Sequence, residues 1–264
     1  MTRIGVIGGS GLYQLIEGEP QRIDTPYGPA HVTIGENLVF LTRHGVDHSV
    51  APHLINYRAN IWALASLGVK AIISSSAVGG ISPDYPPGTL ALPDQYIDRT
   101  WGRRDTFYDS SGDTNSDVQH LGSADPFDPV LHAIAAQAVP DATAGGTIVV
   151  IQGPRFSTRA ESQWFGAAGA HLVNMTLYPE VPLAAELNIG TVNLSFVTDS
   201  DAKAGDDVSA EIVFARLKDA QPRIVSAIRA IAAAIPDSYA GRELISPESV
   251  DGVLGREVST HGVS

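Results

Sequence analysis

The chain has 264 residues, of which 44% are hydrophobic, enough for a sizeable buried core and too apolar for a disordered polymer. Its net charge of −12 carries no basic stripe, which argues against nucleic acid and anionic membrane as partners and leaves any bound phosphate to be held locally. It has no cysteine, so disulfides, thiolate catalysis and Cys-ligated metals are excluded.

In chain order, short apolar runs predict strands at residues 4–7, 38–42, 71–74, 147–151, 171–174 and 191–197. Helical spacing predicts helices at 57–67 behind a capping Asn56, and at 128–138, 157–168, 182–187 and 210–235. Strands alternating with helices give an α/β fold with a parallel or mixed sheet. The whole chain, 1–264, reads as one domain. The stretch 101–128 is polar and aperiodic, and a loop of that length is expected to be functional or to lie at an interface. Beyond residue 236 periodicity fades, and the last dozen residues are expected to lack structure. The opening apolar run is too short for a signal-peptide core and no run approaches a membrane span, so a cytoplasmic protein is expected.

The first strand runs into GVIGGSGLY (residues 5–13), a glycine turn that exposes backbone N–H groups to an anion and adds the hydroxyl of Ser10. A dinucleotide fingerprint would need glycine where Gln14 stands, so it fails; a tight turn closing a strand explains the motif equally well. Arg43 and His44 end the run before Gly45, where α/β proteins put ligand groups. Arg43 offers a bidentate fork for phosphate and His44 a second donor, against the plainer alternative of a surface ion pair. His44 and His48 have metal-ligand spacing only on a helix, which Gly45 disfavours, so no metal is assigned. SSSAVGG (residues 74–80) is expected to be a third small-residue loop at a strand's end. Downstream, Phe156 follows a predicted strand, where it can stack on a base or serve the core. Met175 and Thr176 follow another. Asp199 and Asp201 end a third and share a side, since strand side chains repeat every two residues; helix capping is the competing role.

Seven stretches now stand together in order: GVIGGSGLY, TRHG, PHLINYRANIWAL, SSSAVGG, DQYIDRT, GPRFSTRAES and NMTLYPE. In this sequence they resemble the trimeric purine nucleoside phosphorylase family, in its methylthioadenosine phosphorylase branch, over about residues 4–217. The resemblance implies a mixed, partly barrel-like central sheet surrounded by helices, and a homotrimer with sites at subunit interfaces. It implies that Ser10, Arg43, His44, Ser76, Ala77 and Thr176 hold phosphate, that Met175 lies against the ribose and Phe156 beside the purine. Asp199 would address purine N7 and Asp201 the 6-amino group. Ala210 and Val213 would line the pocket for the 5′ substituent, with His120 lent by the neighbouring subunit. No metal or organic cofactor is implied; inorganic phosphate is a co-substrate.

Several positions depart from the family pattern. Ser76 and Val78 stand where Thr and Cys are common, Leu177-Tyr178 replaces Thr-Val, and Ala210 is smaller than the usual Val. Residues 236–264 have no counterpart. The implied reaction is phosphorolysis of 5′-methylthioadenosine in purine and methionine salvage. It passes through an oxocarbenium-like sugar, with phosphate on one face and the purine leaving from the other. An aspartic acid can protonate the purine near neutral pH only if burial raises its pKa. The family's oxopurine branch has Asn and Glu around the base; Asp199 and Ser157 here resemble the aminopurine choice. The alternatives left open are 6-oxopurine nucleosides or methylthioinosine, other 5′-deoxyadenosines, and a non-catalytic or Rossmann-type nucleotide-binding domain.

Overall fold

The computed structural model describes residues 2–9, 12, 15–45, 49–109, 118–201 and 209–258. Its strands are Arg3–Gly8 (β1), Glu19–Thr25 (β2), Gly28–Ile34 (β3), Leu38–Thr42 (β4), Val69–Gly80 (β5), Leu90–Leu92 (β6), Gln95–Arg99 (β7), Thr143–Ala144 (β8), Thr147–Ile151 (β9), Leu172–Asn174 (β10) and Gly190–Ser200 (β11). Helices are Tyr57–Ser66 (α1), Pro129–Ala138 (α2), Arg159–Ala167 (α3), Leu177–Glu186 (α4), Ala210–Ala234 (α5) and Pro247–Leu254 (α6). All strands join one mixed sheet in the order β2-β3-β4-β1-β5-β10-β9-β7, with β11 on β5 and β6, and β8 on β6.

The topology follows from β5. Its first half lies parallel to β1, the segment from Ala71 to Gly80 lies parallel to β11, and its last residues meet β10 antiparallel. The sheet therefore branches at β5, and the carboxyl ends of β1, β4, β9, β10 and β11 gather along its second half. Residues such as Ile72, Ile73, Val192 and Leu194 are fully or almost fully buried, as expected of strands covered on both faces.

The helices start where the sequence supplies caps. Asn56 accepts from Ala59 N, and Asp128 accepts from Val130 N and Leu131 N. Thr158 and Glu161 form a reciprocal capping box on α3. No helix among the described residues is long and apolar enough to cross a membrane.

The structure departs from or adds to the expected elements in four places. SSSAVGG is not a loop but the second half of β5; its serines are buried and bonded within the fold. The helix expected at 182–187 begins at Leu177, interrupted at Tyr178 and Pro179, because Asn174 Oδ1 accepts from Thr176 N and Leu177 N and starts the turn early. The hairpin β2–β3 was not expected at all. The C-terminal segment carries α6, whose Val253 is fully buried and whose carbonyl accepts from Trp62 Nε1 at 3.0 Å. Residues 259–264 lie outside the described set.

The stretch 101–128 has no helix or strand among its described residues, but its root is anchored. Phe107 is fully buried, and Glu186 of α4 accepts from Thr106 Oγ1 at 2.6 Å and Phe107 N at 2.7 Å. Burial pushes the Glu186 carboxyl up to about 7, against the lowering pull of those two hydrogen bonds. A carboxyl raised in the fold favours folding while protonated. That contribution is complete below the ordinary value of 4.5 and is lost as pH rises through about 7. Glu186→Gln is therefore expected to gain thermal stability relative to the parent between pH 5 and pH 8. Melting curves in which the variant loses ground over that interval would contradict the assignment.

Candidate active site

The convergence of strand ends leaves one large cavity of about 280 Å³. It is lined by Arg43 and His44 after β4, Ser76 and Ala77 in β5, and Phe156 and Ser157 after β9. Met175 and Thr176 after β10, Asp199 and Asp201 at the end of β11, and Ala210 and Val213 of α5 complete the expected set. Gly9 lines it too; Ser10 lies outside the described residues, as does His48. His120 is described, is exposed, and does not line the cavity.

Close backbone approach explains two glycines. A Cβ on Gly9 would stand 2.5 Å from the Ser75 carbonyl oxygen and 3.1 Å from Arg43 Nη1. A Cβ on Gly79 would meet Val173 at 2.9 Å and Asp199 Oδ2 at 3.1 Å. A side chain at either position would intrude on the cavity wall.

One end of the cavity is built from hydroxyls and a cation. Arg43 is buried, and its fork does not point at the cavity as the sequence reading expects. Nε and Nη2 donate to the two oxygens of Glu180 at 2.6 and 2.8 Å; Nη2 also donates to Ser74 Oγ, and Nη1 to the Ser75 carbonyl. The reason is that a carboxylate as buried as Glu180 requires a partner, and the guanidinium fork fits it. Of five N–H donors, one on Nη1 is left beyond these contacts. Burial pulls the Arg43 pKa down, but Glu180 outweighs it and the net shift is upward. His44 Nδ1 is 2.9 Å from the Val50 carbonyl oxygen. A carbonyl only accepts, so Nδ1 carries the proton. Nε2 of a neutral His44 is then an acceptor, and the imidazolium donates from both nitrogens.

The other end carries the acids. Asp199 is buried, and its Oδ1 accepts from Thr198 Oγ1 at 2.6 Å. The last residues of β11 slip register against β5 between Val197 and Asp199, yet both acids still line the cavity. Asp201 is half-buried, and Oδ2 accepts from Ser162 Oγ. Burial raises its pKa, opposed by the Ser162 and Ser157 hydroxyls. The buried Ser157 Oγ faces Asp201 but makes no well-aligned hydrogen bond among the described residues. A buried hydroxyl in that condition is one a ligand can satisfy. Phe156, 39% exposed, lines the cavity next to Ser157 in the chain.

The sequence reading passed over Pro52, Asn174, Thr198 and Phe214, which also line the cavity. Asn174 is marked by its place before Met175 and Thr176. Thr198 and Phe214 likewise adjoin Asp199 and Val213, and Pro52 opens the stretch PHLINYRANIWAL.

A family model described as the phosphorylase superfamily matches residues 3–235. The S-methyl-5′-thioadenosine phosphorylase of Mycolicibacterium smegmatis is 48% identical over 229 residues, covering 83% of this chain and 86% of that protein. A Streptomyces coelicolor protein named purine nucleoside phosphorylase is 45% identical over 228 residues, covering 80% of this chain and 81% of its own. Among solved structures, methylthioadenosine phosphorylase from Schistosoma mansoni in complex with adenine matches with a TM-score of 0.83 at 30% identity, over 96% of each chain.

Proposed function

The chain belongs to the phosphorylase superfamily, and from that membership we propose that it is an enzyme cleaving 5′-methylthioadenosine with inorganic phosphate. The products are adenine and 5-methylthioribose 1-phosphate, which places it in purine and methionine salvage. The observation that carries this reading is the polarity of the cavity: a buried cation and hydroxyls at one end, two acids and an aromatic at the other.

In the reaction the C1′–N9 bond breaks as a phosphate oxygen bonds C1′. The bond's electron pair leaves on the purine, which takes a proton at N7. Arg43 Nη1, the Ser76 and Thr176 hydroxyls, Ala77 and His44 hold the phosphate, together with Ser10, which the family resemblance assigns to the same group. Met175 supports the ribose, and Phe156 packs against the purine. Asp199, whose Oδ1 accepts from Thr198 Oγ1, acts as the acid that delivers a proton toward N7. Asp201 and Ser157 address the 6-amino group. No organic cofactor enters this scheme.

The test is release of free base from a nucleoside panel, followed by ultraviolet absorbance with and without phosphate. Methylthioadenosine is expected to react only with phosphate present. Preference for inosine or guanosine would favour the reading that the Streptomyces relative's name supports.

Ala210, Val213 and Phe214 form an apolar wall for the 5′ group. Each buried methylene-sized unit there contributes about 0.8 kcal/mol, whereas a 5′-hydroxyl needs a buried partner. Methylthioadenosine is therefore expected to outperform adenosine, and the small Ala210 to admit longer alkylthio groups. Comparison of kcat/KM across these substrates decides it; adenosine as the better substrate would refute the pocket assignment.

The assembly is read as a homotrimer in which His120 of one protomer caps the 5′ pocket of the next. The exposed position of His120 outside its own chain's cavity agrees with this. Light scattering is expected to give three chains, and His120→Ala to raise KM for methylthioadenosine without altering assembly. A fully active monomer would overturn it. The reading includes one domain over 1–264, since α6 is bonded to α1 through Trp62, and a cytoplasmic setting, where these nucleosides are salvaged.

A further inference from the structure

Behind the phosphate end of the cavity lies a wholly buried polar cluster that the reaction scheme leaves unused. Asn193 of β11 is fully buried and in register with Ser74 of β5. Its Nδ2 lies 3.0 Å from the Ser74 carbonyl oxygen, 3.3 Å from Ser74 Oγ and 2.9 Å from Ser76 Oγ; its Oδ1 accepts from Ser195 Oγ at 2.6 Å.

This geometry fixes who donates to whom. A carbonyl oxygen only accepts, so the amide nitrogen faces Ser74 and the amide oxygen faces Ser195. One N–H of the amide is then spent on Ser74 and the other on Ser76 Oγ. Ser76 thus receives a hydrogen bond from inside the fold and donates to no other described residue, while it lines the cavity. A hydroxyl that accepts on its buried side has its own proton left for the opposite side.

We propose that Asn193 is a positioning residue that holds Ser76 as a hydrogen-bond donor toward the phosphate. This rests on the reading of Ser76 as a phosphate ligand. Asn193 touches neither substrate and acts only through the serine. The Ser74 carbonyl holds the amide in the working orientation, because a flipped Asn193 would turn its oxygen toward it, and Ser195 donates to the amide oxygen from the other side. Without the amide, the Ser76 hydroxyl is free to rotate and spend its proton on a backbone carbonyl of the sheet.

The test is a double-mutant cycle in the full-length enzyme, reading KM for phosphate, KM for methylthioadenosine and kcat, with melting curves alongside. Loss of one hydrogen bond to a charged ligand is worth roughly ten-fold, so Ser76→Ala and Asn193→Leu are each expected to raise phosphate KM by about that factor. KM for methylthioadenosine should stay within about two-fold in both, since the pair meets only the anion end. In the Ser76→Ala background, Asn193→Leu should change phosphate KM less than about two-fold, because the partner through which it acts is gone. Asn193→Ser, which keeps a polar side chain but cannot reach both serines, serves where the leucine variant does not fold and should show the same selective loss.

Equal effects of the Asn193 substitutions in both backgrounds, or a matching rise in both KM values, would overturn the proposal. If Ser76→Ala itself leaves phosphate KM unaltered, it is the phosphate role of Ser76 that fails. If Ser76→Ala raises it but both Asn193 variants behave as the parent, only the positioning role fails.

Discussion

Asp199→Asn is expected to lower kcat/KM for methylthioadenosine by roughly 10²–10⁴-fold, the usual contribution of a positioned general acid. Its effect on inosine should be far smaller, or even favourable. Adenine is a poor anionic leaving group and has to be protonated at N7 as the glycosidic bond breaks. A carboxylic acid can transfer that proton; an amide can only donate a hydrogen bond. Hypoxanthine spreads the departing charge onto its 6-oxygen, and an amide N–H aimed at the base stabilises that charge without proton transfer. The change is isosteric and retains Oδ1, which accepts from Thr198 Oγ1, so the fold should hold. Measuring both nucleosides on parent and variant gives a ratio of ratios independent of how much enzyme is active. An unchanged preference would show that Asp199 is not the base-reading acid.

How far the sequence foretold this site depends on what each residue does. Arg43, Phe156, Asp199 and Asp201 sit at or beside strand ends and carry polar or aromatic groups that a covered sheet does not need. That contradiction makes them legible, and the cavity gathers them. Strands such as β1, β4 and β9 were legible for the opposite reason, as unbroken apolar runs. The hairpin β2–β3 escaped because β2 exposes nearly every residue, so its sequence EPQRIDT has no apolar alternation. SSSAVGG misled because serine and glycine ordinarily mark loops. Here Ser74, Ser75 and Ser76 continue a strand in which Arg43 and Glu180 bond the Ser74 hydroxyl and Asn193 donates to that of Ser76, partners distant in sequence. Asn193 and Glu180 hold other residues in place, and such roles leave no local pattern. The helix α6 is short, and its signal was a Pro247 start behind a Ser246 cap rather than periodicity.

Arg43→Ala combines two effects that the structure allows to be separated. Arg43 and Glu180 are 1% and 3% exposed in their side chains and form a two-pronged ion pair. Removing the guanidinium strands a buried carboxylate, a change that typically costs about 3–5 kcal/mol. For a chain of this length each kcal/mol lowers Tm by roughly 2–4 °C, so a fall of about 6–20 °C is expected. Phosphate KM should also rise strongly, because the Nη1 group beside Gly9 is lost from the anion end. KM for methylthioadenosine should change little, since no base or 5′ contact is touched. Instability alone would blur this result, and Arg43→Ala combined with Glu180→Gln resolves it. The amide introduced by Glu180→Gln is still a buried polar group with Ser74 as a partner but carries no charge, so more than half of the lost Tm should return. Phosphate KM should stay high in the combined variant, because restoring the fold does not restore the cation. A combined variant no more stable than the single one would refute the ion-pair account. Normal phosphate KM in a refolded combined variant would remove Arg43 from the anion site and leave it a purely structural partner of Glu180.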